Sequence, residues 1–458
     1  MTELGKTITI WRGLGLAICM LIGTGILALP GLALDAGNVH EAVLGWLLIS
    51  LVAVPLIQIC ARLGLKFPST AGLARYAEEA VGPWGGYAVS YLVGGSFLFG
   101  LPAVALIGAE YVQQLIPLTE PGVAFFAVLL IVLMTLSNLA GIRAVSLINY
   151  AALAVLFLLL GLLVLSNLNF LSSGLGIALE ALKVSLNWSP GANAAVGAGA
   201  GVSVNPKNLW TIAALLFWAF LGWENLSFSL GEIKDPEKNV PLLYWLSFFL
   251  VTSIYLLLAF ISAGAKAAGV PLQGAAGLSG LVRFTPGGDL LVWFMVIVVA
   301  ANACSWNFTA SRLLLSGGRT GIFPASLGKL SESSIPVPAL GVLFVSSLAL
   351  ILATYIFKIS VSDLILLVNQ NFVFLYAFII LAYWKTETGW RRWVFSVLSL
   401  ASLAFLVSGF TWEIIYPICL IGLGYYRWSV SKKGELLEKE KQYVVSPDES
   451  ELPIGFQH

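Results

Sequence analysis

Long apolar stretches, separated by short polar connections, follow one another along most of this chain. A helix that crosses a lipid bilayer needs about 20 predominantly apolar residues, and this pattern predicts twelve such helices, numbered here as spans 1 to 12. Their approximate ranges are 11–33, 42–64, 85–115, 122–139, 145–166, 209–231, 240–264, 288–316, 339–356, 362–384, 391–409 and 411–429. The sequence therefore predicts an all-α membrane protein with twelve transmembrane helices.

Helix-breaking residues interrupt span 1 and span 6. Span 1 contains Gly23 and Gly25, followed by Pro30, and span 6 contains Gly222 in the middle of an apolar stretch. Backbone groups freed from a helix are tolerated inside a bilayer only where they line a cavity or hold a ligand. An interrupted helix at the corresponding place in each half of a chain is the best sequence indication of a transporter's binding site. The alternative, that these glycines only allow close helix packing, is stronger for span 6 than for span 1.

Composition excludes several other classes of protein. Of the 458 residues, 59% are hydrophobic and 10% are charged, far from the balance of a water-soluble domain. A net charge of +1, without a basic run interleaved with aromatic residues, argues against nucleic acid as a partner. The two His and four Cys residues have no paired spacing, so we expect no metal centre, no disulfide framework and no cofactor.

The distribution of Lys and Arg predicts the orientation in the membrane. With a cytoplasmic N-terminus, all but five of the 24 Lys and Arg residues fall on the cytoplasmic side. The five exceptions are Lys183, Lys207, Lys266, Arg283 and Lys358. This asymmetry follows the positive-inside rule, and it predicts a multi-pass protein of the cell (inner) membrane with both termini in the cytoplasm. Asp35 and Glu110 lie at span ends, where we expect solvated interface residues.

Three stretches of the chain resemble a known family. IGTGILALPG, FWAFLGWENLSFSLGEIKDPEKNVP and SRLLLSGGRTGIFP, in this order and spacing, are similar to segments of the amino acid-polyamine-organocation (APC) superfamily of transporters. The resemblance extends over the whole chain. It is greatest for the branch of bacterial amino acid exporters that handle methionine and branched-chain residues. One departure is Thr320, where an acidic residue commonly follows the arginine of the third stretch.

The resemblance implies a five-plus-five inverted repeat with discontinuous helices 1 and 6, followed by two peripheral helices. Residues 1–166 then form the first repeat, 209–384 the second, and 385–430 the peripheral helices. The external segment 167–208, rich in Gly, Ala and Asn, links the two repeats. Residues 431–458 form a cytoplasmic tail, which we expect to begin as a short amphipathic helix.

A broken helix suits an amino acid, which carries a carboxylate and an ammonium group on one carbon. The half-helix that begins near Gly25 presents free amides and the positive end of its dipole to the carboxylate, and each such hydrogen bond contributes about 1.5–3 kcal/mol. The resemblance implies that the carbonyls of Ile22, Trp218 and Leu221 receive the ammonium group. The predicted substrate-binding residues are Ile22, Gly23, Thr24, Gly25, Ile26, Phe217, Trp218, Leu221 and Asn369.

Selectivity among amino acids must come from the walls of the site, because the backbone contacts only the groups that all of them share. Phe217, Trp218 and Phe220 surround the second break, and Phe97 lies in span 3, so the walls are predicted to be apolar and aromatic. Trp218 matches a gating aromatic residue of related transporters, and Asn369 matches a polar position of the exporters. For the other aromatic residues, packing or lipid contact is the alternative.

Glu224 is the acidic residue nearest to the centre of a span. A carboxylate at mid-bilayer costs about 2.5–3.5 kcal/mol, so Glu224 is either a proton carrier or gate, or a protonated group bonded to backbone freed by the break. Asn302 and Ser305, which share one face of span 8 with Thr309, are further candidates for gating or proton coupling. Alternatively, they bond across to neighbouring helices.

These features predict a secondary active transporter that exports neutral apolar amino acids by alternating access, in exchange for protons. Its partners would be a small amino acid substrate, protons as coupling ions and the lipid bilayer. No catalytic constellation of residues indicates an enzyme. Uptake coupled to protons or sodium, and amino acid exchange, are the alternatives. A membrane sensor that binds without transporting is a more distant one.

Overall fold

α-Helices make up most of what the computed structural model describes, namely residues 9–67, 72–186, 204–223, 226, 230, 233–283 and 287–445. The helices are α1 (Ile10–Leu21), α2 (Thr24–Ala36), α3 (Val39–Lys66), α4 (Gly72–Val81), α5 (Trp84–Gln113), α6 (Glu120–Leu139), α7 (Ile142–Ser166), α8 (Leu171–Leu186), α9 (Pro206–Leu216), α10 (Pro236–Ala267), α11 (Gly288–Arg319), α12 (Val337–Phe357), α13 (Val361–Thr386), α14 (Gly389–Val407) and α15 (Ile415–Val445). This confirms the prediction of an all-α membrane protein.

Nine helices within the described ranges are long and apolar enough to cross a membrane, namely α3, α5, α6, α7, α10, α11, α12, α13 and α14. Span 1 is not among them because it is divided into α1 and α2, of 12 and 13 residues. Span 6 is represented by α9, which has 11 residues. Each piece is shorter than the roughly 20 residues that a span requires. α15 covers predicted span 12 and continues into the predicted tail.

Burial divides these helices into an inner and an outer layer. The apolar stretches of α3, α5 and α13 are 67%, 67% and 72% buried, whereas those of α6, α7, α12 and α14 are each 28% buried. α5 lies at the centre and packs against α4, α6, α11, α13 and α15. Large apolar side chains of the outer layer, such as Phe125 and Leu147, are exposed. Such continuous apolar surfaces fit contact with lipid better than contact with water.

Residues 171–186 form a helix inside the segment that the sequence predicted to be a linker. α8 packs against α3 and α10. A side chain at Gly174 would overlap the main chain of Phe260, and one at Gly264 would overlap that of Phe170. Small residues thus bring α8 and α10 into backbone contact, a feature that the overall composition of the segment did not indicate. Residues 187–203 of the linker lie outside the described residues.

Glu41 connects the start of span 2 to the start of span 6. Asn38 caps α3 in a capping box, in which its side chain accepts from the Glu41 amide while Glu41 Oε2 accepts from the Asn38 amide at 2.9 Å. Glu41 Oε1 also accepts from the amide of Asn205, the N-cap residue of α9, at 2.7 Å. Glu41 is buried, and these charge-assisted bonds compensate for the loss of water around its carboxylate.

Polar contacts assign the helix ends to two ends of the bundle. At the first, called the tail end, Arg62 Nε lies 3.1 Å from Glu387 Oε2, and Arg427 Nε donates to the Gly321 carbonyl at 3.2 Å. The first contact joins the C-terminal ends of α3 and α13, and the second joins the C-terminal end of α11 to the first half of α15. The opposite end, called the loop end, carries the start of α3, the end of α5 and the loop between α10 and α11. α3 and α5 therefore run in opposite directions, as do α10 and α11.

A folded segment, residues 268–283, covers the loop end. The Gly274 amide donates to Asp35 Oδ2 at 2.5 Å and the Ala275 amide donates to Glu110 Oε2 at 2.9 Å. Glu110, which the sequence analysis treated as a solvated residue, is only partly exposed. These two carboxylates hold segment 268–283 against α2 and α5. Leu272, Ala275, Leu278 and Leu281 of the segment are themselves buried.

Substituting Gly31 by Ala should loosen this cover. A Cβ atom at Gly31 would overlap the Gly274 carbonyl oxygen and lie 3.0 Å from Gly277 Cα, so segment 268–283 would have to shift. Overpacking of this kind costs about 1–3 kcal/mol. We expect a lower melting temperature in detergent and faster proteolysis within the segment. Gly161→Ala in α7, where nothing lies within 4 Å of the new Cβ, is the matched control and should change neither; equal effects of both variants would contradict this account.

Candidate binding site at the helix breaks

Span 1 is interrupted at Ile22 and Gly23. α1 ends at Leu21, Ile22 is extended (φ −86°, ψ 97°), and Gly23 adopts φ −132° and ψ −141°. α2 then begins at Thr24, and no side chain among the described residues caps its N-terminus. The first N–H groups of a helix have no intrahelical partner. The positive end of the α2 dipole is therefore directed at the break.

Span 6 loses its α-helical form at Phe217–Phe220. This stretch is a 3-10 turn, Leu221 is extended (φ −86°, ψ 146°), and Gly222 has a positive φ of 119°. Both predicted interruptions are therefore present. A positive φ is readily adopted only by glycine, which explains why Gly222 stands at this point of an otherwise apolar stretch.

Protein donors satisfy main-chain carbonyls at both breaks. Tyr255 of α10 donates its hydroxyl to the Leu21 carbonyl at 2.9 Å. Asn369 of α13 donates through Nδ2 to the carbonyls of Ala214 at 2.7 Å and Leu215 at 3.1 Å. Carbonyls at the ends of α1 and α9 thus have protein donors, while the amide end of α2 has no side-chain cap from the residues that the structure describes. The arrangement leaves a site that favours an anionic group.

A cavity of about 100 Å³ lies between the two breaks. It extends toward the tail end, because α4 and the second half of α11 contribute to its walls. Its lining residues are Leu21, Gly23, Thr24, Gly25, Leu73, Val93, Ser96, Phe97, Trp218, Leu221, Gly222, Asn302, Trp306, Thr309 and Phe372. Most of this surface is apolar, and no charged side chain among the described residues lines it. An apolar wall with a few polar groups is typical of a small-molecule site.

The structure brings only part of the predicted site to this cavity. The predicted residues that line it are Gly23, Thr24, Gly25, Trp218, Leu221 and Asn302. The predicted residues that do not line it are Ile22, Ile26, Phe217, Asn369 and Ser305. Glu224 lies outside the described residues. The cavity therefore includes residues of both breaks and the polar position in span 8.

Asn302 of α11 lies against the break in span 1. Thr24 Oγ1 donates to Asn302 Oδ1 at 3.2 Å. A Cβ atom at Gly23 would be 2.6 Å from Asn302 Nδ2, so a residue larger than glycine would displace this amide. The close approach explains the position of Gly23 in the motif.

Ser305 faces a different neighbour from Asn302. Its hydroxyl donates to Asn149 Oδ1 of α7 at 2.8 Å. The sequence predicts that Asn302, Ser305 and Thr309 share one face, but the residues at i+4 and i+7 from Asn302 lie closer to that face than Ser305 at i+3. These positions are Trp306 and Thr309, and both line the cavity.

Trp306 is the main functional candidate that the sequence analysis missed. Its indole stacks on that of Trp218, with ring centroids 5.1 Å apart and planes at 8°. Phe97 of α5 meets it edge-on at 5.8 Å. The i+4 spacing from Asn302 was the signal that could have identified it.

Several other predicted wall residues pack within the bundle instead. Phe217 lies 5.9 Å from Tyr376 between ring centroids, and Phe220 lies 5.7 Å from Tyr255. Both phenylalanines are buried. The 3-10 turn directs successive side chains to different sides, so Trp218 alone of these aromatic residues reaches the cavity.

Comparison with known proteins matches the chain over most of its length. A family model described as amino acid permease matches residues 8–420. The uncharacterized amino acid permease YecA of Bacillus subtilis is 25% identical over 93% of this chain and 96% of YecA. The L-methionine/branched-chain amino acid exporter YjeH of Escherichia coli is 25% identical over 92% of this chain and 96% of YjeH. The putrescine transporter PotE of Escherichia coli is 25% identical over 70% of each chain.

Replacing Asn369 by Leu should destabilise the protein because the Ala214 carbonyl would lose its side-chain donor, while the Leu215 carbonyl would keep only the Phe217 amide. A buried polar group left unsatisfied costs about 1–3 kcal/mol. Gln370→Leu is the matched control, since Gln370 is 1% exposed and its terminal atoms have no partner among the described residues. Melting curves in detergent should show a lower midpoint for Asn369→Leu and an unchanged or higher one for Gln370→Leu. Equal midpoints would contradict the capping role.

Proposed function

This chain belongs to the amino acid permease family, and we propose that it is a secondary active transporter that exports neutral apolar amino acids by alternating access. Family membership makes it a multi-pass membrane protein of amino acid transport rather than an enzyme. The substrate class, the direction and the coupling to protons are parts of the proposal.

The observation that carries the proposal is the uncapped N-terminus of α2 at the wall of a cavity. Thr24 and Gly25 belong to its first turn and line the cavity. Helix N-termini favour negative charge through their free amides and dipole, and the carboxylate is common to all amino acids. The proposed carboxylate site therefore consists of the amides of Thr24, Gly25 and Ile26. The carbonyls of Ile22, Trp218 and Leu221 are proposed to receive the ammonium group.

The apolar walls favour a neutral side chain. Phe97, Trp218, Trp306 and Phe372 provide aromatic surface, while Leu221 adds an aliphatic contact. A second ammonium group, as in putrescine, would meet no acidic side chain among the described residues of the lining. The name of YjeH, a methionine and branched-chain amino acid exporter, agrees with this preference.

We propose twelve spans in a five-plus-five inverted repeat. The pair α1 and α2 is span 1, α9 with the segment after it is span 6, and α15 contains span 12. With the tail end in the cytoplasm, as the Lys and Arg distribution predicts, the cavity lies on the cytoplasmic side of the breaks. Segment 268–283 then closes the external side. This arrangement fits one end state of an alternating-access cycle.

Substituting Gly25 by Val should abolish amino acid binding without preventing insertion. A Cβ atom at Gly25 would lie 3.2 Å from Trp218 Cδ1 and 3.5 Å from Ala219 Cα, so the larger side chain would fill the space in front of the α2 amides. Leucine binding to purified protein should weaken by about tenfold or more, the equivalent of about 1.4 kcal/mol. Gly161→Val, at a site with nothing within 4 Å, should bind normally. Unchanged affinity in Gly25→Val would refute the carboxylate site.

Transport by purified protein in liposomes tests substrate and coupling together. Vesicles loaded with leucine, methionine or lysine should release leucine and methionine, faster when the outside is acidic, and should not respond to a sodium gradient. If Glu224 carries protons, Glu224→Gln should retain leucine exchange and lose the response to pH. Equal transport of lysine would argue against neutral substrates, and an unaltered pH response in Glu224→Gln would exclude this residue as the proton carrier.

A further inference from the structure

Gly100 lies in α5 directly behind the two stacked indoles. A Cβ atom at this position would be 2.7 Å from Trp306 Cζ3, 3.3 Å from Trp306 Cε3 and 3.7 Å from Trp218 Cη2. Carbon atoms in favourable contact are about 3.5–4.0 Å apart. The indole of Trp306 therefore occupies space that is available because residue 100 has no side chain.

Trp306 is confined on several sides. It stacks on Trp218 on one face and meets Phe97 edge-on. Phe97 precedes Gly100 by three residues, so both lie on the same face of α5. The cavity borders the rest of the indole. A methyl group at position 100 would thus push Trp306 toward the cavity.

We propose that Gly100 is a specificity-determining residue, which sets the depth of the cavity by letting Trp306 lie close against α5. The space kept free would accept a branched or unbranched aliphatic side chain of the size of leucine or methionine. This inference rests on the proposed function, because it assumes that the cavity binds amino acids. Gly100 acts through Trp306 and need not touch the substrate.

The size of the effect follows from the sensitivity of apolar pockets to volume. One methylene group in such a pocket changes discrimination by about 10- to 200-fold, and close-packed interiors respond to a change of a single methylene. A cavity of about 100 Å³ has little volume to lose. Narrowing it should therefore affect leucine and methionine strongly and alanine weakly.

The experiment measures binding of alanine, leucine, methionine and phenylalanine to purified Gly100→Ala. We expect the affinities for leucine and methionine to fall by about tenfold or more, with that for alanine within about threefold of wild type. Adding Trp306→Phe should restore leucine binding, because the smaller ring relieves the contact. Gly94→Ala is the control on the same helix, since its new Cβ would lie 3.4 Å from Phe323 Cζ, and it should bind like wild type.

Trp306→Phe alone tests the inference in the opposite direction and does not depend on the folding of Gly100→Ala. It should deepen the cavity and raise the affinity for phenylalanine relative to alanine. Two outcomes would overturn this inference and leave the proposed function intact. One is undiminished leucine binding by Gly100→Ala. The other is an equal loss of affinity for all four amino acids that adding Trp306→Phe does not reverse. A wild-type protein that binds none of the four amino acids would overturn the proposed function and this inference with it.

Discussion

Main-chain N–H and C=O groups that leave a helix inside a membrane must find hydrogen-bond partners. The partners that these groups have at the breaks in spans 1 and 6 determine which ligand groups the candidate site can bind. Three carbonyls at the breaks have side-chain donors, namely Leu21 from Tyr255, and Ala214 and Leu215 from Asn369. No side chain in the described part of the chain caps the amide end of α2. The protein thus supplies its own donors and leaves an electropositive helix end at the cavity, where a carboxylate would complete the arrangement.

Three glycines allow the cavity walls to approach the backbone. A Cβ atom at each of them would crowd a residue of the wall: Asn302 at Gly23, Trp218 at Gly25, and Trp306 at Gly100. In each case the missing side chain admits a polar amide or an indole. Packed interiors respond to the volume of a single methylene. The backbone position at each of these glycines therefore determines how far the neighbouring wall residue extends into the cavity. The shape of the cavity therefore depends on backbone positions as well as on the side chains that line it.

The two ends of the bundle are built differently. At the loop end, Asp35 and Glu110 accept hydrogen bonds from consecutive amides of segment 268–283, whose own apolar side chains are buried. At the tail end, an ion pair between Arg62 and Glu387 joins helix termini while the cavity extends in this direction. The loop end is thus held by buried apolar packing together with bonds to backbone amides, and the tail end by polar contacts between helices.

The sequence by itself determined the membrane class, the approximate positions of the long helices and the two interruptions. These depend on local properties, since the length of an apolar run and the dihedral freedom of glycine are fixed by neighbouring residues. Tertiary structure decided which side chains meet at the cavity. Trp306 joined it and Ser305 did not, Asn369 became a cap for α9, and 171–186 formed a helix, because each outcome depends on the rotation and approach of helices that are distant in sequence.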